Sequence, residues 1–396
     1  MLLRIGLLER KAEMLARPLL LALLAGVNLL LFSPLSSADD PPRVISPQTF
    51  QVIQREGFNP TVAPANDSSG NSRGWADVEL QWSAPESGDW EARVVIQPHA
   101  FGRPVDWTVL AATSQDKLHR SVLRVPAGGW YRLELRCRSN GKVTRELSQE
   151  PFGVGEVFLI AGQSYAVGAN DESLKAAEPQ RRVAAFNWRD DAWQVCDDPV
   201  PHAGPKGTIW PPLGDLLVPL LHVPVGFVNA AVGGTSTRQW AVDGPLFADL
   251  VAAGKKTKRF RCVLWQQGES DVIEDTSQAV YVERLVEIRR QAMNAWGQDV
   301  AWLPAKSTLH PTVYHWPERE ERIRAAIGEL WALPGFRPGP DTDVLDGENR
   351  GGHDTMRHFS GIGQRRAAQL WFAALWQELH RDPREKPAAD QRRPAE

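Results

Sequence analysis

The chain has three cysteines, Cys137, Cys196 and Cys262, in 396 residues. They show no metal-ligand spacing and cannot build a disulfide framework. At most one bridge can form, and Cys262 lies in an apolar, strand-like run that suits a plain buried thiol. A long basic run is also missing. With 45 Lys and Arg against 48 Asp and Glu the formal net charge is −3, which excludes an electrostatic nucleic-acid surface. No internal repeat is found, so repeat architectures are excluded as well. What remains is an ordinary globular composition, 42% hydrophobic and 23% charged, at a length suited to about two domains of ~100–200 residues each.

The N-terminus carries an uncharged apolar run. Arg17 precedes apolar residues over 19–32, and small residues follow to Ala38. That is the order of a secretory signal: positive flank, apolar stretch, small-residue cleavage site. Arg4, Arg10 and Lys11 extend the basic side, with Met14 as an alternative start. Because no charge falls between Arg17 and Asp39, an uncleaved anchor is the alternative reading of 1–38. Either reading leaves the positive flank inside and the body outside the cytoplasm. The expectation is an exported protein: periplasmic, cell-envelope or extracellular. Its only membrane contact would be an uncleaved N-terminal segment.

Residues 41–150 predict an all-β domain. "ADVELQWS", "WEARVVIQP", "DWTVLAAT", "HRSVLRVP" and "WYRLELRCRS" are short β-branched or aromatic runs, separated by Pro-, Gly- and Asn-rich turns. Alternation over 131–137 puts apolar side chains on one face and charges on the other, as in an immunoglobulin-like β-sandwich. Residues 60–74 predict an exposed loop. From 152 to 380 strands alternate with helices, which implies an α/β domain with a parallel sheet covered on both faces. Strands are expected at 155–161, 225–231, 261–266 and 299–304, and helices at 212–222, 277–296, 316–332 and 360–380. The Pro- and charge-rich residues 381–396 predict a disordered tail.

Polar clusters stand where these strands end, the edge at which open α/β sheets gather ligands and catalytic groups. The strand ending "VFLIAGQSYAVG" runs into Gly162-Gln163-Ser164. Ser164 is either a helix cap or a nucleophile held above the sheet, although the stretch is not a G-x-S-x-G elbow. Gly233 and Gly234 close the next strand, either as a tight turn or to let backbone N–H groups approach an oxyanion. Gln267, Glu269 and Asp271 follow the third, where Gln267 can donate to an oxyanion and Glu269 can orient a histidine. His353, Asp354 and His358 sit in a Gly-rich loop before the last helix, where an imidazole can serve as general base beside a carboxylate.

Taken together the four segments resemble the SGNH hydrolase superfamily, and more narrowly its sialate O-acetylesterase and carbohydrate acetylesterase group. That group carries G-Q-S-N, G-G-T, W-x-Q-G-E-x-D and D-x-x-H. Here the matching residues are Gly162-Gln163-Ser164, Gly233-Gly234-Thr235, Trp265-Gln266-Gln267-Gly268-Glu269-Ser270-Asp271, and Asp354 with His358. The resemblance covers about 152–380 and implies a three-layer α/β/α parallel sheet behind the accessory β domain. It implies a serine esterase removing O-acetyl groups from carbohydrates, with no metal or organic cofactor and an acetylated glycan as partner. Ser164 would be the nucleophile and His358 the base, oriented by Asp354 or Glu269. The oxyanion would meet Ser164 N–H, an N–H of Gly233 or Gly234, and the Gln267 amide. Trp210 or Trp240 would offer a sugar-stacking wall. The chain departs from the pattern at Tyr165, which replaces the Asn after the serine, and in one extra residue between Asp354 and His358. Those departures favour the main alternative, a non-catalytic glycan-binding protein. A metal-dependent phosphoesterase, built on His353, Asp354, Glu269 and Asp271, is a further one.

Overall fold

The computed structural model describes residues 41–60, 73–202, 204–352 and 356–381. The N-terminal segment 1–38, most of the loop expected over 60–74, His353, Asp354 and nearly all of the tail lie outside the described residues. The first strands are β1 (Arg43–Ser46), β2 (Gln51–Gln54), β3 (Trp75–Ser83), β4 (Asp89–Phe101), β5 (Val105–Val109), β6 (Thr113–Gln115), β7 (Leu118–Pro126), β8 (Gly128–Ser139) and β9 (Lys142–Gly162). An antiparallel sheet of order β1-β3-β7-β6 faces a second antiparallel run, β5-β4-β8-β9. Alternation decides what each face buries. In β3, Ala76, Val78, Leu80 and Trp82 are buried, while the intervening Asp77 and Glu79 are exposed. In β8, Tyr131, Leu133, Leu135 and Cys137 point inward, and the outward Glu134 and Arg136 pair with Arg93 and Glu91 on β4. The inner faces meet around Trp82, whose ring lies 5.2 Å from Trp90 and stacks on His119 at 5.3 Å.

The remaining elements are α1 (Ser164–Val167), β10 (Val183–Asn187), β11 (Ala192–Val195), α2 (Trp210–Leu221), β12 (Val225–Asn229), α3 (Thr237–Trp240), α4 (Phe247–Thr257), β13 (Cys262–Gln266), α5 (Glu269–Ile273), α6 (Gln278–Trp296), β14 (Ala301–Ala305), α7 (Pro317–Leu330) and α8 (Gly361–Leu379). Strands β10, β12, β9, β13 and β14 pair in parallel in that order, and β11 adds an antiparallel edge. Successive residues of β9 serve opposite layers. Phe158 and Ile160 join a core with α2 and α8, whereas Val157, Leu159 and Ala161 join one with α4, α6 and α7. The sheet as a whole is mixed rather than purely parallel, through the antiparallel edge strand β11 and above all through β9. β9 is 21 residues long: it pairs antiparallel with β8 first and parallel with β12 and β13 afterwards. The boundary expected at 150–152 falls inside this strand, and the described residues from Pro41 onward cluster as one compact unit.

Charge is buried where the two halves join. Glu156 of β9 is fully enclosed and accepts from Arg55 Nε at 2.7 Å, Arg261 Nε at 2.7 Å and Gln54 Nε2 at 2.9 Å. Burial alone would raise its pKa, but Arg261 and Arg55 outweigh that and hold it at about 2. All three cysteines are buried free thiols. Among the described residues no helix is long and apolar enough to cross a membrane.

Candidate active site

The carboxyl ends of β9, β12, β13 and β14 lie side by side, and the polar clusters hang from that edge. Gly162 ends β9 with φ 128°, opposite Gln266 of β13. A Cβ there would stand 2.1 Å from the Gln266 carbonyl oxygen, so only glycine permits both the turn and the close strand contact. Ser164 follows as the first residue of α1, whose cap is Gln163. The helix-capping reading of Ser164 is therefore overturned: Ala166 and Val167 N–H bond to the Gln163 carbonyl. Ser164 is left 9% exposed, with an N–H that has no intrahelical acceptor.

Gly233 faces it. A Cβ on Gly233 would lie 4.0 Å from the Ser164 Cβ and 3.8 Å from Val167 Cγ1. Neither the Ser164 nor the Gly233 N–H donates to a carbonyl among the described residues. Two free backbone donors thus stand beside one hydroxyl.

The Gln-Gly-Glu-Ser-Asp segment turns inward instead. Gln267 is fully buried. Its Nε2 donates to Asp271 Oδ2 at 2.6 Å and lies 3.2 Å from Thr235 O and 3.3 Å from Gln163 Oε1, while Tyr281 donates to its Oε1 at 3.1 Å. Its amide protons are consumed inside the protein, so the expected role as oxyanion donor does not fit this geometry. Gln267 ties the serine turn to the Gly-Gly-Thr loop. Asp271 continues the tie by accepting from Thr237 N at 2.8 Å and Thr237 Oγ1 at 2.7 Å.

Glu269 is fully buried too; it accepts from Ser307 Oγ at 2.5 Å and from Gly268 N at 3.2 Å. Neither contact is with His358, so its expected service as the histidine's partner does not fit. Burial, only partly offset by Ser307, raises its pKa from 4.5 to about 8. Between those values the folded state holds a proton that the unfolded state has lost, so stability falls as pH rises from 4.5 to 8. Glu269→Gln, which is neutral at every pH, should flatten that fall in urea-unfolding midpoints measured across the window.

His358 is 6% exposed, just before α8, whose N-cap is Ser360. Its ring lies 5.1 Å from that of Tyr165, the residue after the serine. A second imidazole, unforeseen from the sequence, joins it: His310 stands 5.5 Å from His358 and 6.0 Å from Tyr165. Burial and then the neighbouring His358 lower the His310 pKa to about 4, which keeps that ring neutral at physiological pH. Its signal was available, because "AKSTLH" is another polar cluster after an apolar strand. Trp210 and Trp240 are both fully buried. Their indole N–H groups donate to Ala166 O at 2.8 Å and Thr235 Oγ1 at 2.9 Å. They are core residues supporting the loops, and the sugar-stacking expectation is corrected. Among the described residues, no group of three or more His, Cys, Asp or Glu side chains is placed to hold a metal ion.

Helices on both faces of the sheet and polar residues gathered at one carboxyl edge make an α/β fold whose central segment carries the family signal of a carboxylic ester hydrolase. Residues 154–300 match the family model described as carbohydrate esterase, sialic acid-specific acetylesterase. A carbohydrate acetylesterase of Xanthomonas citri shares the fold, with TM-score 0.51 and 16% identity over 83% of this chain and 73% of that one. A protein of Arabidopsis thaliana aligns with TM-score 0.44 and 16% identity over 57% of this chain and 98% of its own. No curated protein sequence matches this chain.

Proposed function

We propose that the protein is an exported serine esterase that removes O-acetyl groups from carbohydrates. The observation that carries the chemistry is the Ser164 hydroxyl at the end of β9, beside the unengaged N–H groups of Ser164 and Gly233. Ser164 Oγ attacks the ester carbonyl while His358 takes its proton. The carbonyl oxygen gains negative charge between the two N–H donors, each worth about 3 kcal/mol in such a site. His358 returns the proton to the departing sugar oxygen as its bond to the acetyl carbon breaks, and water, activated by the same imidazole, then releases acetate. Asp354 is the carboxylate assigned to orient His358, since Glu269 is engaged with Ser307 and Gly268.

The family match over 154–300 supports the acetylated-glycan substrate. Export rests on the charged flank and apolar run of the N-terminal segment. For the β-rich part, two facing antiparallel sheets with alternating inward residues support the immunoglobulin-like reading.

The direct test is a fluorophosphonate probe followed by peptide mass spectrometry, beside acetate release from O-acetylated sialic acid. Label on Ser164, lost on pre-incubation with the acetylated sugar, is the expected result. Sugar binding with no label and no acetate release would instead establish the non-catalytic glycan-binding alternative.

A further inference from the structure

We infer that Tyr165, the residue that departs from the family pattern, and Asn170 are positioning residues that fix the histidine loop to the serine turn. The inference rests on the serine–histidine reading above. Tyr165 is buried, and its hydroxyl is a junction. It donates toward the Arg357 carbonyl at 2.6 Å and the Leu309 carbonyl at 3.0 Å, and accepts from Arg350 Nη1. Arg357 immediately precedes His358, and Leu309 immediately precedes His310, so one oxygen spans both imidazole-bearing loops. Arg350 is itself anchored: its Nε donates to the Leu345 carbonyl at 2.5 Å, and its guanidinium lies over the Tyr165 and Phe359 rings at 5.3 and 5.0 Å.

Asn170 adds an independent tie on the other side of His358. Its Nδ2 donates to the Tyr165 carbonyl at 3.1 Å and to the Gly207 carbonyl at 3.1 Å. Its Oδ1 accepts from Phe359 N at 3.2 Å. The backbone on both flanks of His358, at Arg357 and Phe359, is therefore held by residues of the turn that carries Ser164. The loop's ends are closed on each other as well, since Gly351 N donates to the His358 carbonyl at 2.7 Å and Arg350 bridges Phe359. An asparagine at 165 is too short to reach both loops. Tyrosine does so with one rigid ring whose burial keeps the hydroxyl protonated, and so able to donate and accept together.

Positioning of this kind acts on the chemical step rather than on sugar affinity, because a displacement of about 1 Å costs up to about a hundred-fold in rate. The test is p-nitrophenyl acetate hydrolysis by Tyr165→Phe and wild type, with rates normalised to phosphonate-titrated sites, beside Ser164→Ala normalised to folded protein. Tyr165→Phe should lower kcat by about 10- to 100-fold with KM within about two-fold, and should move the acid limb of the pH–rate profile. A loss of folded protein alone would change the number of titrated sites and neither of those readouts. Wild-type kcat and pH profile in a folded Tyr165→Phe enzyme, with Ser164→Ala inactive, would overturn the positioning role and leave the serine esterase standing. Full activity in Ser164→Ala would remove both. If Tyr165→Phe does not fold, Asn170→Ala, which cuts the separate tie to Phe359, is measured by the same criteria.

Discussion

Ser164→Ala is expected to lower kcat toward p-nitrophenyl acetate by about 10⁴- to 10⁶-fold, with His358→Ala falling as far and the double variant no further. In the proposed mechanism nucleophile and base act as one unit: without the hydroxyl the imidazole has no proton to take, and without the imidazole the hydroxyl is a poor nucleophile. The N–H groups of Ser164 and Gly233 survive in every variant, so a residual rate about 10³-fold above water is expected from the oxyanion site. Asp354→Asn should cost about 10⁴-fold if that carboxylate sets the imidazole tautomer. Steady-state kinetics on purified variants, with phosphonate titration of wild type as the active-site count, provides the numbers. Losses for Ser164→Ala and His358→Ala that multiply in the double variant would show that the residues act separately, and the mechanism would fail.

The second large effect concerns stability. Glu156→Gln should destabilise the protein by about 3–5 kcal/mol, because it leaves Arg55 charged and enclosed without its counter-ion. Arg55 is 1% exposed, packs 3.8 Å over the Phe58 ring and donates from Nη1 to the Arg73 carbonyl at 3.0 Å. The pH signature is specific. With a folded pKa of about 2 against 4.5, the unfolded chain takes up the proton first as acid is added. The stabilisation by this carboxylate is complete above pH 4.5 and drains away as pH falls toward 2, a loss of about 3 kcal/mol at 1.36 kcal/mol per unit. Urea midpoints of wild type should therefore decline over that range, and those of Glu156→Gln should not carry this component. An unchanged acid slope in the variant would show that Glu156 is not the titrating group.

Much of the α/β half was legible because its signals are long and periodic. The helix expected over 277–296 is α6, Gln278–Trp296, and that over 360–380 is α8, Gly361–Leu379. Their apolar stripes face the sheet through Tyr281, Leu285, Ile288 and Ala292 in one case and Ala367, Trp371 and Leu375 in the other. The pair β10 and β11 went unread: β12, β13 and β14 are no longer than β10 but end in polar clusters that mark them, whereas "VAAFN" and "AWQV" carry no such signal. Helix α4 was also missed, and its Gly254 is required not by the helix but by Trp296, whose ring would lie 2.2 Å from a Cβ there. At the site, chain position after a strand was readable, but side-chain direction was not. Gln267 and Glu269 stand at the right edge and face inward, because their polar atoms find partners on nearby Asp271 and on Tyr281 and Ser307, 14 and 38 residues further along the chain. His310 failed to register for the converse reason: only folding brings its loop against His358.

The long strand β9 has a consequence for how this protein can be taken apart. Its antiparallel half belongs to the ladder with β8 and its parallel half carries the serine, with β2 added alongside at residues 152–155. A chimaera spliced at 151, where the composition changes, would cut through hydrogen-bonded backbone and strip Phe152 and Val154 of their cover. The β-rich portion is thus no detachable cassette. It is the stem on which Ser164 is mounted, and a portable α/β unit has to begin upstream of β2.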